Sequence, residues 1–196
     1  MNILKQVSLH VCIILISFLF VPHVQADALD FEGNTIEVNG TITATQVTNS
    51  HIYIAGQFST VTTANQNAVS RINIVEINRS DMQITDWNPQ PNAPIHDMAL
   101  YKNQLIAVGQ FVTFNNIDFK YIATIDINSK EASTLNLQVD QPIYAILIDQ
   151  DRLYVGGDFQ IVNQEKKSYI ASYDLRSNTV TVWNPILNGS VYDIST

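Results

Sequence analysis

From Ile42 onward, hydrophobic residues come in short runs or alternate with polar ones, and turn-forming clusters separate the runs. The clearest stretch reads Ile143 to Ile148, Leu153 to Gly156, Tyr169 to Asp174 and Thr179 to Trp183. Asp149-Gln150-Asp151 and Arg176-Ser177-Asn178 punctuate it. Short β-rich runs bounded by Asn, Asp, Ser and Gly predict strands joined by tight turns. No window after residue 26 sustains a helical period, so the pattern predicts an all-β chain.

The pattern repeats. Gly56-Gln57-Phe58, Gly109-Gln110-Phe111 and Gly157-Asp158-Phe159 are offset by 53 (109 − 56) and 48 (157 − 109) residues. Hydrophobic strand starts at Ile42, Ile95, Ile143 and Val191 follow offsets of 53, 48 and 48. Trp87-Asn88-Pro89 and Trp183-Asn184-Pro185 stand 96 apart, with Leu135-Asn136-Leu137 midway. Independent anchors sharing the same offsets define units over 42–94, 95–142 and 143–190, with a fourth starting at 191. The five extra residues of the first unit lie between Phe58 and Trp87, and Ser70 to Asn78 reads as a longer strand there.

Four strands per unit of about 48 residues is the signature of a propeller blade. The expectation is therefore a β-propeller with four antiparallel strands per blade, about three blades being present. A propeller needs four to eight blades, so the reading implies an incomplete propeller and a longer parent protein, or assembly from several chains. Asn34-Thr35-Ile36-Glu37-Val38, within the segment 27–41, reads like the outermost strand Asn178 to Val182 and is a candidate ring-closing strand. The anchors themselves read as scaffold: Gly where a Cβ would block close packing, Phe between blades, Trp-Asn-Pro as an edge cover and strand stop.

Leu153-Tyr154-Val155-Gly156-Gly157-Asp158-Phe159, Ile170-Ala171-Ser172-Tyr173-Asp174 and the closing Trp183-Asn184-Pro185 with Asn188-Gly189-Ser190-Val191 resemble the delta-sixty β-propeller repeat of secreted bacterial proteins. The first unit is a weaker copy, and so is the second, which lacks the Trp-Asn-Pro. The resemblance covers roughly Ile42 to Thr196. It implies an extracytoplasmic propeller and carries over no catalytic residues.

The N-terminus changes the setting. Lys5, the apolar run Val11 to Val21, the break at Pro22 and small residues at Val24 and Ala26 match an export signal cut after Ala26. The run is short for a permanent span, which needs about 20 apolar residues. Cys12, the single cysteine, lies inside it, so the mature chain has no disulfide, thiol nucleophile or thiolate metal site. The expected address is secreted, periplasmic or cell-surface. Asn39, Asn78 and Asn188 open glycosylation sequons that matter only in a eukaryotic secretory route. A net charge of -8 with scattered basic residues argues against nucleic acid.

Catalytic signals are weak. The Asp-rich turns lack the glycine and distal glutamate of an EF-hand loop, no zinc motif occurs, and no cofactor is implied. One constellation stands out. The second residue of each first strand is Thr43, His96, Tyr144 and Tyr192, and the next is Ala44, Asp97, Ala145 and Asp193. In a propeller these positions lie near one channel mouth, so His96, Asp97, Tyr144, Tyr192 and Asp193 form a candidate ligand-binding rim. The competing reading is packing between blades with wet polar tips. The expected function is a non-catalytic exported module that binds a protein or a glycan. The alternatives are a structural repeat of a larger surface or adhesive protein, or a carbohydrate-active propeller enzyme.

Overall fold

The structure is a computed structural model describing residues 27–195. The expected export signal over residues 1–26 lies outside the described residues. The chain opens with β1 (Asp27–Phe31) and β2 (Asn34–Val38). The first repeat unit supplies β3 (Thr41–Val47), β4 (His51–Gln57), β5 (Thr60–Thr63), β6 (Gln66–Ser70) and β7 (Ile74–Asn78). The second supplies β8 (Ile95–Tyr101), β9 (Gln104–Gly109), β10 (Thr113–Phe114), β11 (Ile117–Asp118), β12 (Ile122–Asp126) and β13 (Ala132–Ser133). The third supplies β14 (Ile143–Asp149), β15 (Arg152–Gly157), β16 (Ile161–Val162), β17 (Glu165–Lys166), β18 (Ile170–Asp174) and β19 (Thr179–Val180). The fold is all-β, with no helix among the described residues.

Each unit builds an antiparallel meander. The sheet orders are β3-β4-β7, β8-β9-β12-β13 and β14-β15-β18-β19. In the first unit the fourth strand is reduced to a single bridge, Ile77 to Ile84. Between the second and third strands of every unit a small hairpin folds out: β5-β6, β10-β11 or β16-β17. The repeat extends to backbone signs. Asn73, Tyr121 and Tyr169, at matching positions, have φ of 59°, 68° and 72°, and each carbonyl accepts from the N–H of the repeated glycine. Asn39, Asn92 and Asp140 also match, and each Oδ1 accepts two consecutive backbone N–H groups at the mouth of the small hairpin.

The sheets pack face on face, and both faces of the inner strands are covered. Tyr53 and Ala55 of β4 join Leu105 and Ala107 of β9 in one apolar layer. Ile106 and Val108, on the opposite face of β9, join Leu153 and Val155 of β15 in the next. Ile52 and Ile54 turn to β2 and to Val61 of β5. Phe111 and Phe159 are fully buried in successive layers, as expected of residues wedged between sheets. Alternating side chains that are all apolar are what a strand buried on both faces requires.

The glycine anchors have a direct cause. A Cβ on Gly109 would fall against the Pro94 carbonyl oxygen and 2.9 Å from Ile95 Cα. Gly157 meets Pro142 and Ile143 in the same way. The chain is tight there because a β-bulge follows on the facing strand in all three units, between Ile42 and Ala44, Ile95 and Asp97, and Ile143 and Ala145.

One expectation is corrected. Ser70 to Asn78 is not one strand: β6 ends at Ser70, Asn73 takes a left-handed φ of 59°, and β7 begins at Ile74. The extra residues of the first unit lengthen the hairpin β5-β6 instead. That hairpin is long enough to extend a second sheet, β1-β2-β5-β6. Within it β2 is paired on both edges, Asn34–Val38 against β1 and Ile36–Val38 against β5. The segment 34–38 is therefore an inner strand of this sheet. Val191, where the expected fourth unit begins, is held by its N–H to the Gly157 carbonyl at 3.3 Å and by its side chain over Gly156.

Candidate functional site

The bulges place the candidate rim. Thr43, His96 and Tyr144 are each the unpaired extra residue of their bulge. A bulge re-aims one side chain out of the regular alternation. Strands β3, β8 and β14 lie side by side in consecutive sheets, so the three re-aimed side chains fall in one row. Thr43 Oγ1 donates to the Ile95 carbonyl at 2.7 Å. The His96 ring meets Tyr144 edge to face, with centroids 5.1 Å apart. Tyr144 stacks on Tyr192 at 5.0 Å and 17° between planes. Tyr192 is 70% exposed, and His96 and Tyr144 are half-buried.

Hydrogen bonds fix the row. The Tyr144 hydroxyl donates to Asp158 Oδ2 at 2.5 Å, and the Ser190 hydroxyl donates to Asp158 Oδ1. These two donors hold the Asp158 carboxyl below the usual carboxylate range. The bond to Asp158, together with burial, pushes the Tyr144 hydroxyl up to about 12. So Tyr144 stays a neutral donor and Asp158 an anion over the whole physiological range.

Asp97 does different work. Its Oδ2 accepts from Ile146 N at 2.9 Å, tying β8 to β14, and its Oδ1 accepts from Met98 N at 2.7 Å. Burial raises its carboxyl above the ordinary range despite these bonds, and the Asp193 charge adds to the rise. Asp193 is exposed at the matching register beyond Tyr192. The structure thus brings His96, Tyr144 and Tyr192 into contact, spends Asp97 on a bond between sheets, and leaves Asp193 in solvent.

No family model matches the chain, and no curated protein is similar to it. Among solved structures it is similar to the crystal structure of the computationally designed Ika4 protein. The TM-score is 0.51 at 10% identity, over 80% of this chain and 79% of that one. At that identity the likeness is one of fold.

His96 also sets a pH dependence. Its Nε2 is buried without a hydrogen-bond partner, and burial pushes the ring below its ordinary pKa of 6.5. The unfolded chain therefore binds a proton before the folded one does. Stability from this group is full above pH 6.5 and is lost as pH falls below it toward the depressed folded value. Urea unfolding followed from neutral pH into this window should show a decline, and His96→Gln should flatten it. An unchanged decline in that variant assigns the effect to another group.

Sequence reasoning missed a second cluster. Glu76 of β7 is 1% exposed. It accepts from the Tyr53 hydroxyl at 2.7 Å and the Thr85 hydroxyl at 2.8 Å, and it pairs with Lys130 Nζ from the neighbouring sheet. Burial drives the Glu76 carboxyl up, but bonds from Lys130, Tyr53 and Thr85 outweigh it and leave it below the ordinary value. At the matching register the other units pair Thr124 with Ser133 and Ser172 with Thr181. The first unit alone puts a charge there. The signal in the sequence was that offset of nine residues, with Glu where its siblings carry hydroxyls.

Proposed function

We propose that this chain is an exported run of β-propeller blades that binds a protein or glycan partner without catalysis, through the aromatic row. The propeller reading is supported by consecutive four-position meanders whose first strands β3, β8 and β14 gather side by side. The likeness in fold to Ika4 is compatible with it. The binding reading rests on one observation. The four equivalent positions carry Thr43, His96, Tyr144 and Tyr192, and the last three are aromatic, each ring touching the next, with Tyr192 at the exposed end. The glycine anchors keep one residue type in every unit, whereas this position changes from Thr to His to Tyr. Aromatic rings with hydrogen-bonding tips give contact area at low entropic cost, which suits a recognition surface.

The test is a glycan array and a peptide array probed with the purified chain and with variants carrying Ala at His96, Tyr144 and Tyr192 in turn. The expected result is retention of ligand by the wild type and loss by the variants, with melting transitions preserved for Tyr144→Ala and Tyr192→Ala. If those substitutions unfold the domain instead of reducing binding, the row is packing and the proposal fails.

A further inference from the structure

The sheets of the second and third units end on one side in β13 and β19. An edge strand presents N–H and C=O groups without partners, and proteins protect such edges with charges or cover them. At the edge of the third unit the Thr181 N–H donates inward, to the Ser172 carbonyl at 2.9 Å. Backbone groups alternate along an antiparallel ladder, so those of Val180 and Val182 turn outward. The first unit shows the same alternation. Thr85 N–H donates inward to the Glu76 carbonyl at 3.0 Å, and Ile84, which matches Val180, turns its N–H outward.

What differs is the cover. In the first unit the long hairpin β5-β6 reaches over the edge. Gln66 Oε1 accepts from Ile84 N at 2.7 Å, and Asn65 Nδ2 donates to the Asp81 carbonyl at 2.9 Å. Asp86 adds a charge two residues after Ile84. The second unit sets the exposed Glu131 directly before β13. The third unit has neither device. Residues 177–192 carry no charge, and β16 and β17 have two residues each, against four and five in β5 and β6. Val182 stands at the position of Asp86 and is 99% exposed. Thr179-Val180-Thr181-Val182-Trp183 is thus an uncharged edge of β-branched and aromatic residues, the composition that accepts another strand.

We propose that this edge pairs with the same edge of a second copy of the chain, antiparallel, about a two-fold axis at Thr181. The ends of the stretch set the register. Asn178 has a left-handed φ of 59°, which an extended strand does not continue through, and Pro185 has no N–H to donate. The outward groups between them are centred on Val180 and Val182. The register that uses both sets Val180 of one copy opposite Val182 of the other, with Thr181 facing Thr181. Each Val180–Val182 pair then exchanges both of its backbone hydrogen bonds. Thr179 falls opposite Trp183. Threonine pairs and pairs of aromatic with β-branched residues are among those that stabilise sheets.

This self-complementarity favours a second copy over a foreign strand. Charge points the same way. Two chains of net charge -8 repel one another, and an uncharged edge is where they approach at least cost. The contact is independent of the aromatic row, since β14, which carries Tyr144, lies at the other end of the sheet order β14-β15-β18-β19.

Sedimentation velocity of the purified chain over a dilution series is the first test. The expected result is a monomer–dimer equilibrium with a Kd on the order of 10 μM, as suits a small interface. Val182→Asp, which copies Asp86, should raise that Kd at least about tenfold and leave the melting temperature unchanged. Tyr192→Ala should leave the equilibrium unchanged. The register has its own test. The chain from Asp27 onward has no cysteine, so a single thiol can be placed in the strand. Facing residues of a pair without backbone bonds have Cα atoms about 4.5 Å apart, within reach of a disulfide. Thr181→Cys should therefore cross-link two copies under mild oxidation, and Thr179→Cys should not. A chain that stays monomeric at about 200 μM overturns the proposal and leaves the edge to a foreign strand. So does a dimer that survives Val182→Asp, a dimer lost with Tyr192→Ala, or cross-linking through Thr179→Cys in place of Thr181→Cys.

Discussion

Gly109→Ala is expected to destabilise the chain by about 3–5 kcal/mol, a large part of the total stability of an ordinary domain. The added methyl would meet Pro94 O, Ile95 Cα and His96 N, all backbone of the start of β8. None of these is a flexible side-chain end that can swing away. Relief requires β8 and β9 to separate at the Ile95–Gly109 pair, beside the bulge that aims His96. Gly156→Ala makes a graded comparison. Its new methyl would meet the side chains of Val191 and Ile194, which can shift, so a loss of about 1–2 kcal/mol is expected. Gly189 has nothing within 4 Å, and Gly189→Ala should stay within about 0.5 kcal/mol of wild type. Urea unfolding of the three variants checks the order. A Gly109→Ala protein as stable as wild type would contradict the tight β8–β9 approach.

Lys130→Met is expected to cost about 3 kcal/mol, because it leaves the Glu76 carboxylate buried and unpaired. The ammonium is the donor that does most to keep that carboxyl ionised inside the sheet. Copying the junction between the second and third units, Thr124 and Asn178, should undo the damage. Thr124 and Ser172 fill the Glu76 position, and Asn178 fills the Lys130 position with a φ of 59°. Glu76→Thr combined with Lys130→Asn should therefore lie within about 1 kcal/mol of wild type, since removing both charges removes both desolvation costs. A double-mutant cycle in urea reads the coupling directly. Additive single and double effects would show that the two side chains do not stabilise one another.

The repeat and the all-β class were legible because they rest on spacing and turn chemistry, which the chain states openly. The glycine of each Gly-x-Phe anchor was legible as a close approach, and the facing carbonyls explain why. The longer hairpin of the first unit was not. Counting places an insertion only between two anchors, and Gln66 to Ser70 carries no stronger turn signal than Ser70 to Asn78. The partners of β2 were not legible, because a strand pattern does not say which edges will be covered. The Glu76–Lys130 pair was not legible, since the meeting of the two residues depends on two sheets stacking. The row of His96, Tyr144 and Tyr192 was visible in the offsets, but the bulges that turn it outward were not. Asp97 shared the offset of Asp193 and reads alike in sequence, yet its acceptor is spent on Ile146 N.

The aromatic row is the central claim, and Tyr192 is the residue that separates its two readings. At 70% exposure its truncation removes little packing. Isothermal titration of Tyr192→Ala against the ligand retained on the arrays, with the melting temperature measured on the same sample, is the direct test. A fall in affinity of about tenfold with an unchanged melting temperature is the predicted result. Equal affinity in the variant and the wild type would contradict it.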